Sequence, residues 1–140
     1  PYAFAKVWYP GAPTFDLRII DGNFHLFDTE ILPLDIMHGK LPILGFKVRN
    51  LAYLTDCNGI PKETMSQLYN LDYLIINCLR KHEAHHSHFT LKDVVPLVEV
   101  LRPKKTYLTH MSHHIGFHAA LEKELPEGIL PAYDGLEIIF

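Results

Sequence analysis

Apolar positions come in short blocks in the first half of the chain, and their period lengthens in the second half. Ala3–Trp8, Phe15–Ile20, Asn23–Phe27, Glu30–His38, Leu44–Val48 and Leu51–Thr55 are rich in β-branched and aromatic residues. Such blocks favour extended chain. Turn residues separate them at Pro10-Gly11-Ala12-Pro13, Asp21-Gly22, Asp28-Thr29 and Arg49-Asn50. Asp21-Gly22 and Arg49-Asn50 are the hairpin signals, so mainly antiparallel strands are predicted. From Pro61 onward the spacing turns helical. Pro61–Tyr69 opens with proline and repeats apolar residues at Met65, Leu68 and Tyr69, which suits a helix started by its proline. Thr90–Arg102 carries an apolar stripe at Val94, Val95, Val98 and Leu101, with Thr90 and Asp93 placed as a capping pair. Pro96 must lie in its first turn or bend it. Ile115–Leu125 is the third predicted helix, ended by Pro126-Glu127-Gly128. Between the helices, Tyr73–Asn77 and Lys105–Thr109 read as buried strands, and Leu130–Ala132 and Glu137–Phe140 close the chain as short strands. The order predicts an α/β domain over residues 1–140: a mixed sheet with helices on one face.

Composition narrows the function. Hydrophobic residues make up 48% of the 140 residues, enough for a core. No apolar run is long enough to span a bilayer. The net charge of −3, from 13 basic and 16 acidic residues, gives no general basic surface for nucleic acid. Cys57 and Cys78 make no disulfide framework and read as buried thiols in a reducing, cytoplasmic setting. No signal peptide is visible, and a first residue of Pro rather than Met reads as a chain cut or processed from a longer one. There is no Gly-x-Ser-x-Gly elbow and no phosphate-cradling glycine loop.

The ten histidines are the outlier. His82, His85, His86 and His118 read as solvated. Three other positions share one pattern: an apolar strand, a ligand-type residue, then a turn. They are His38 before Gly39, Asp56 after Leu51–Thr55, and His110 after Tyr107–Thr109. Taken singly, each has a plainer reading. His38 and His110 could be core or capping histidines, and Asp56 could form an Asx-turn before Pro61. Together they offer two imidazoles and a carboxylate, a donor set for Zn²⁺, Mn²⁺ or Fe²⁺ rather than Ca²⁺. Cys57 would point away from Asp56 in extended chain. His88, just before the Thr90 helix, could reach into a cleft as a general acid or stand exposed in a histidine-rich loop.

Four ordered motifs carry a family resemblance: His38-Gly39-Lys40, Thr55-Asp56-Cys57-Asn58-Gly59-Ile60-Pro61, Thr109-His110-Met111-Ser112-His113 and Tyr133-Asp134-Gly135-Leu136-Glu137. From Tyr9 to Glu137 the chain resembles the C-terminal part of a metallo-β-lactamase-fold hydrolase, most closely the phosphoribosyl cyclic phosphodiesterase branch. The resemblance implies half of an αββα sandwich with a site for two divalent ions, Zn or Mn, on its rim. His38 and His110 would each bind one ion, Asp56 would bridge them, and His88 would contact the phosphate and protonate the leaving oxygen. His113 and Asp134 would support the site or touch the substrate. The family's His-x-His-x-Asp-His signature is absent. The expectation is therefore a half-domain that binds metal weakly or not at all alone and pairs with the missing N-terminal half or with itself. The intact protein would be a phosphodiesterase acting on a cyclic ribose phosphate or similar small phosphodiester. The rivals are a non-catalytic half-domain and a transfer-RNA 3′ processing nuclease, the latter disfavoured by the charge balance.

Overall fold

The structure, a computed structural model, describes residues 16–140. The strand expected at Ala3–Trp8 lies outside the described residues. Among the described residues, seven strands follow one another in both sequence and space: β1 (Phe24–Leu26), β2 (Thr29–His38), β3 (Leu41–Val48), β4 (Leu51–Leu54), β5 (Tyr73–Asn77), β6 (Lys105–Thr109) and β7 (Ile129–Pro131). The first four are antiparallel neighbours, and β4 to β7 are parallel. Parallel neighbours need crossovers. These carry α1 (Lys62–Gln67), α2 (Leu91–Leu101) and α3 (His118–Glu124). The result is the expected mixed α/β sheet with three helices.

Register explains the core. Leu34, Gly45, Leu54, Ile76, Leu108 and Pro131 form one row across six strands. This side packs against Leu68, Val94, Leu101, Ile115 and Leu121 from the helical layer, all buried. Gly45 keeps the row flat: a Cβ there would lie 2.6 Å from Leu54 Cδ2 and 3.1 Å from the Tyr53 carbonyl. The alternate row is Pro33, Phe46, Tyr53, Ile75, Tyr107 and Leu130. Side chains alternate faces along strands, so this row looks the other way. Here no side chain is fully buried, and Tyr53 is 40% exposed.

The departures have local causes. Residues 16–20 form no strand and are exposed, with Arg18 bonded to nearby Asp16. The first hairpin therefore turns at Phe27-Asp28 rather than at Asp21-Gly22, with Phe27 at φ 53°. β3 starts three residues earlier than its sequence suggests, because the β2–β3 hairpin closes tightly at Gly39 (φ 62°) and pairs His38 with Leu41. Pro96 lies inside α2, beyond its first turn, on the exposed side. The Thr90–Asp93 capping box forms, with Thr90 N–H and Oγ1–H both donating to Asp93 Oδ2 at 2.8 and 2.7 Å. The third helix is shorter than expected: a 3₁₀ turn at His113–Ile115 ends at Gly116 (φ 95°), and α3 starts afresh. Residues 137–140 are not a strand, since the chain turns at Tyr133–Leu136, where Leu136 N–H bonds the Tyr133 carbonyl.

Candidate metal centre at the sheet rim

Strand direction gathers the candidate residues. β2 is antiparallel to β3, and β3 to β4, so β2 and β4 run the same way; β5 and β6 follow β4. The C-terminal ends of β2, β4, β5 and β6 therefore share one rim. His38 ends β2, Asp56 lies just past β4, Asn77 ends β5 and His110 follows β6. Asp56 and His110 are both left-handed, at φ 59° and 53°. Non-glycine residues pay for this conformation, and it clusters at functional sites. Here it turns each side chain back over the rim as its strand stops.

β3 separates β2 from β4, and the loop after Asp56 closes that gap. Asn58 N–H donates to the Met37 carbonyl and Met37 N–H to the Gly59 carbonyl, both at 2.9 Å. Gly59 permits the approach, since a Cβ there would lie 3.2 Å from Met37 Cβ. Asn58 Oδ1 accepts from Gly39 N–H at 2.8 Å, and its amide donates to the His86 carbonyl at 3.0 Å. Underneath, the fully buried Asn77 Oδ1 accepts from Cys57 N–H at 2.9 Å and lies 3.2 Å from Cys57 Sγ. Cys57 thus points into the core, away from Asp56. Burial pushes both the Cys57 and Cys78 thiols up to about 12.

The His88 loop is held with comparable detail. Phe89 N–H donates to the Cys57 carbonyl at 2.8 Å, and Leu79 N–H to the Phe89 carbonyl at 3.0 Å. Arg80 ties the preceding turn through the carbonyls of Glu83 and Ala84. His88 is thereby placed two residues before the Thr90 cap. Its side chain is 12% exposed, against 43% for Asp56 and 39% for His110.

Asp56 Oδ1 lies 3.4 Å from both His88 Nε2 and His110 Nε2. Ligand atoms of Asp56, His88 and His110 all fall within 4.8 Å of one another. The His88 and His110 rings stack at 4.8 Å, and His38 meets His88 edge-on at 4.8 Å. His38 Nδ1 donates to the Asp56 carbonyl at 2.6 Å. With Nδ1 as the donor, the neutral ring has its lone pair on Nε2, the form in which an imidazole binds metal. The donor chemistry fits divalent transition ions: imidazole nitrogen and carboxylate oxygen, with the second ring nitrogen of His38 fixed by a carbonyl. Burial alone would raise the Asp56 carboxyl, but the Thr55 hydroxyl, His110 and His88 outweigh it and hold it below its usual range. Burial, followed by the charges of His110 and His38, keeps His88 below the usual imidazole value, against the pull of Asp56.

The cluster differs from the sequence pattern in one respect: His88 stands inside it and His38 beside it. His113 and Asp134 are exposed and lie outside the cluster; the His113 ring lies against His114, centres 3.9 Å apart and planes tilted by 40°. Sequence reasoning missed two contributors. Asn77 gave no signal, since an asparagine ending an apolar strand looks like a turn residue. His85, expected to be solvated, is half-buried and bonded to His88.

A family model for the beta-lactamase superfamily domain matches residues 3–111. The chain belongs to the beta-lactamase superfamily. Its fold is that of the metallo-β-lactamase hydrolases. A solved diphosphatase of the PhnP family superposes with a TM-score of 0.83 at 38% identity, covering 89% of this chain and 48% of that one. Human tRNase Z, short form, superposes at 0.61 with 20% identity, over 77% of this chain and 42% of that one, a likeness of fold alone. An octanoyltransferase of Porphyromonas gingivalis is 39% identical over 140 residues, 99% of this chain and 28% of that protein. The chain thus spans about half of the diphosphatase and under a third of the octanoyltransferase. No described helix is long and apolar enough to cross a membrane.

Proposed function

We propose that the chain forms the second half of a two-metal phosphodiesterase domain whose substrate is a small phosphodiester, such as a cyclic ribose phosphate, or a diphosphate ester. One observation carries this: Asp56, His88 and His110 converge within 4.8 Å on the rim, with His38 beside them. The likeness to a PhnP-family diphosphatase at 38% identity supports phosphoryl chemistry. Asp56, His110 and His38 would hold the ions, Zn²⁺ or Mn²⁺, together with ligands from a His-x-His-x-Asp-His segment in the other half. Bound there, divalent ions supply Lewis acidity to a phosphoryl group and lower the pKa of a water. This chain's own part is positional and protonic. Asp56 turns Oδ1 towards His88 and His110, while its Oδ2 accepts from the Thr55 hydroxyl at 3.1 Å. His38 is oriented by its bond to the Asp56 carbonyl. His88, the least exposed of the cluster, would give the Nε2 proton of its imidazolium form to the leaving oxygen and keep the hydrogen on Nδ1.

The rival readings have less behind them. Transfer-RNA processing calls for a basic docking surface, and a net charge of −3 supplies no such field. The name octanoyltransferase belongs to a whole protein of which the match is 28%, so it assigns nothing to this stretch. A purely structural half-domain gives no reason for a carboxylate and three imidazoles to gather at one rim, with His38 pinned by the Asp56 carbonyl.

The test uses the longest natural protein that contains this chain. A cyclic ribose phosphate, an activated aryl phosphodiester and a nucleoside diphosphate ester are offered as substrates. Hydrolysis should be abolished by chelation and restored by Zn²⁺ or Mn²⁺. Turnover that survives chelation, or that survives Asp56→Ala, would remove the proposal.

A further inference from the structure

Beyond His110 the rim opens into a recess. The chain leaves β6 at His110 and runs through Met111 and Ser112 into the 3₁₀ turn at His113–Ile115, while β7, paired beside β6, ends at Pro131. Between them lies an open hollow of about 230 Å³. Ile115, Leu121 and Pro131 form its buried floor, and Met111, the residue after His110, also lines it. His113 and His118, both exposed, stand at its mouth. The Tyr133 ring meets His118 edge-on, with centres 6.2 Å apart and planes at 78°.

Size, charge and surface define what fits. The hollow is smaller than the ~300–1,000 Å³ of a pocket that encloses a whole ligand, so it suits one group of a molecule held elsewhere. At about 30 Å³ per water it has room for roughly eight waters, or one flat ring system. Among the described residues, no lysine, arginine or carboxylate lines it. Lys81 lies near Gly116 at its edge, but its ammonium is bound to Glu124 at 2.6 Å. A second phosphate would meet an ammonium that is already paired, whereas an uncharged ring gains by leaving water for the apolar floor. The imidazole and phenol rings at the mouth add faces and edges for stacking. Reach is also suitable. Consecutive Cα atoms are about 3.8 Å apart, so His113 lies at most about 11 Å from His110, a gap that one sugar bridges between a phosphate and a base.

We propose that this hollow is the subsite for an uncharged flat ring, a nucleobase or equivalent aryl group, carried on one ester arm of the substrate, and that His118 selects that ring by stacking on it. The subsite rests on the phosphodiesterase reading for the phosphate it serves. It narrows the substrate from small phosphodiesters in general to nucleotide-type esters.

Two measurements on the longest natural protein carrying this chain separate the subsite from the chemistry. In the first, adenosine, a ring with no phosphate, is titrated into ¹⁵N-labelled protein. The amides of Met111, Ile115 and Leu121 should shift saturably. His118→Ala should weaken this binding at least about fivefold, the lower end of what a base loses with one stacking partner, and His118→Phe should restore it. No shift at these amides, or undiminished binding by His118→Ala, would overturn the proposal whatever the activity. The second compares a matched pair, adenosine 5′-methyl phosphate and ribose 5-methyl phosphate, which differ in the base alone. Wild type should favour the adenosine ester about 5–150-fold in kcat/KM. His118→Ala should lose that preference by slowing the adenosine ester, with the ribose ester within about twofold of wild type on the same argument. A merely structural role for His118 would slow both esters together and would not be rescued by phenylalanine. Equal kcat/KM for the two esters in wild type would also overturn the proposal. If adenosine binds in the hollow and no phosphate ester is hydrolysed, the ring site stands and the phosphodiesterase reading fails.

Discussion

Asn77→Ala tests how the core holds the site in place. Asn77 is fully buried at the end of β5, and its Oδ1 serves Cys57 N–H at 2.9 Å and Cys57 Sγ at 3.2 Å. Truncation leaves a buried backbone N–H without an acceptor, a loss of about 1–3 kcal/mol. The vacated space, of about 25–30 Å³, adds roughly 0.6–0.7 kcal/mol at about 24 cal/mol per Å³. One effect opposes these. Asn77 Nδ2 has no protein partner, so removing it relieves a desolvation penalty of about 1 kcal/mol. The net expectation is a loss of about 0.6–2.7 kcal/mol, or roughly 2–11 °C in Tm for a chain of this size. Urea unfolding should show a lower midpoint with an unchanged slope. Amide exchange at Cys57 should lose protection, and the loop carrying Asp56 should loosen with it. A loss under about 0.5 kcal/mol, with Cys57 still protected, would mean another acceptor serves that amide and Asn77 does not hold the site.

Three other outcomes follow from named contacts. Gly45→Ala places a methyl 2.6 Å from Leu54 Cδ2 and 3.1 Å from the Tyr53 carbonyl, and should cost about 1–3 kcal/mol by thermal melting; a neutral result would mean that β3 and β4 are less closely packed. Both buried thiols are pushed up to about 12 in the folded state, whereas an unfolded thiol ionises near pH ~8.5. The unfolded chain thus loses these protons first, so the thiols leave stability unchanged below pH ~8.5 and erode it towards pH ~12, by about 1.4 kcal/mol per unit for each thiol; a Cys57→Ala/Cys78→Ala double variant with the same alkaline slope as wild type would contradict this. The sheet row Pro33, Phe46, Tyr53, Ile75, Tyr107 and Leu130 lies on the face away from the helices, and ultracentrifugation of the chain alone at micromolar concentration should show a dimer or larger assembly; a monomer would mean that this face needs no cover.

Much of the sheet was legible because its signals are local. Alternation and turn chemistry marked β2, β4, β5 and β6 to within a residue or two, and Thr90 and Asp93 announced the start of α2. The errors fall where pairing decides. Phe15–Ile20 has the composition of a strand, yet among the described residues 16–20 pair with nothing and stay exposed. Gly116 interrupts an apolar pattern that reads as one helix. At the site, His38, Asp56 and His110 were visible because each ends an apolar strand. Their convergence follows from parallel strand directions, which no single segment records. His85 was hidden among four histidines in seven residues, 82–88. Only the folded loop, pinned by Arg80 and Asn58, distinguishes the one that touches His88.

The central claim is that Asp56 and His110 hold metal while His88 acts beside it on the substrate. Metal content by mass spectrometry, measured with turnover on the longest natural protein carrying this chain, tests it directly. Asp56→Ala and His110→Ala should lose bound Zn²⁺ or Mn²⁺ along with activity. His88→Ala should keep its metal and lose turnover by about 10²–10⁴-fold, the usual share of a general acid. Loss of metal on His88→Ala would make His88 a ligand, as its place within the 4.8 Å cluster permits, and retention of full metal in Asp56→Ala would contradict the account altogether.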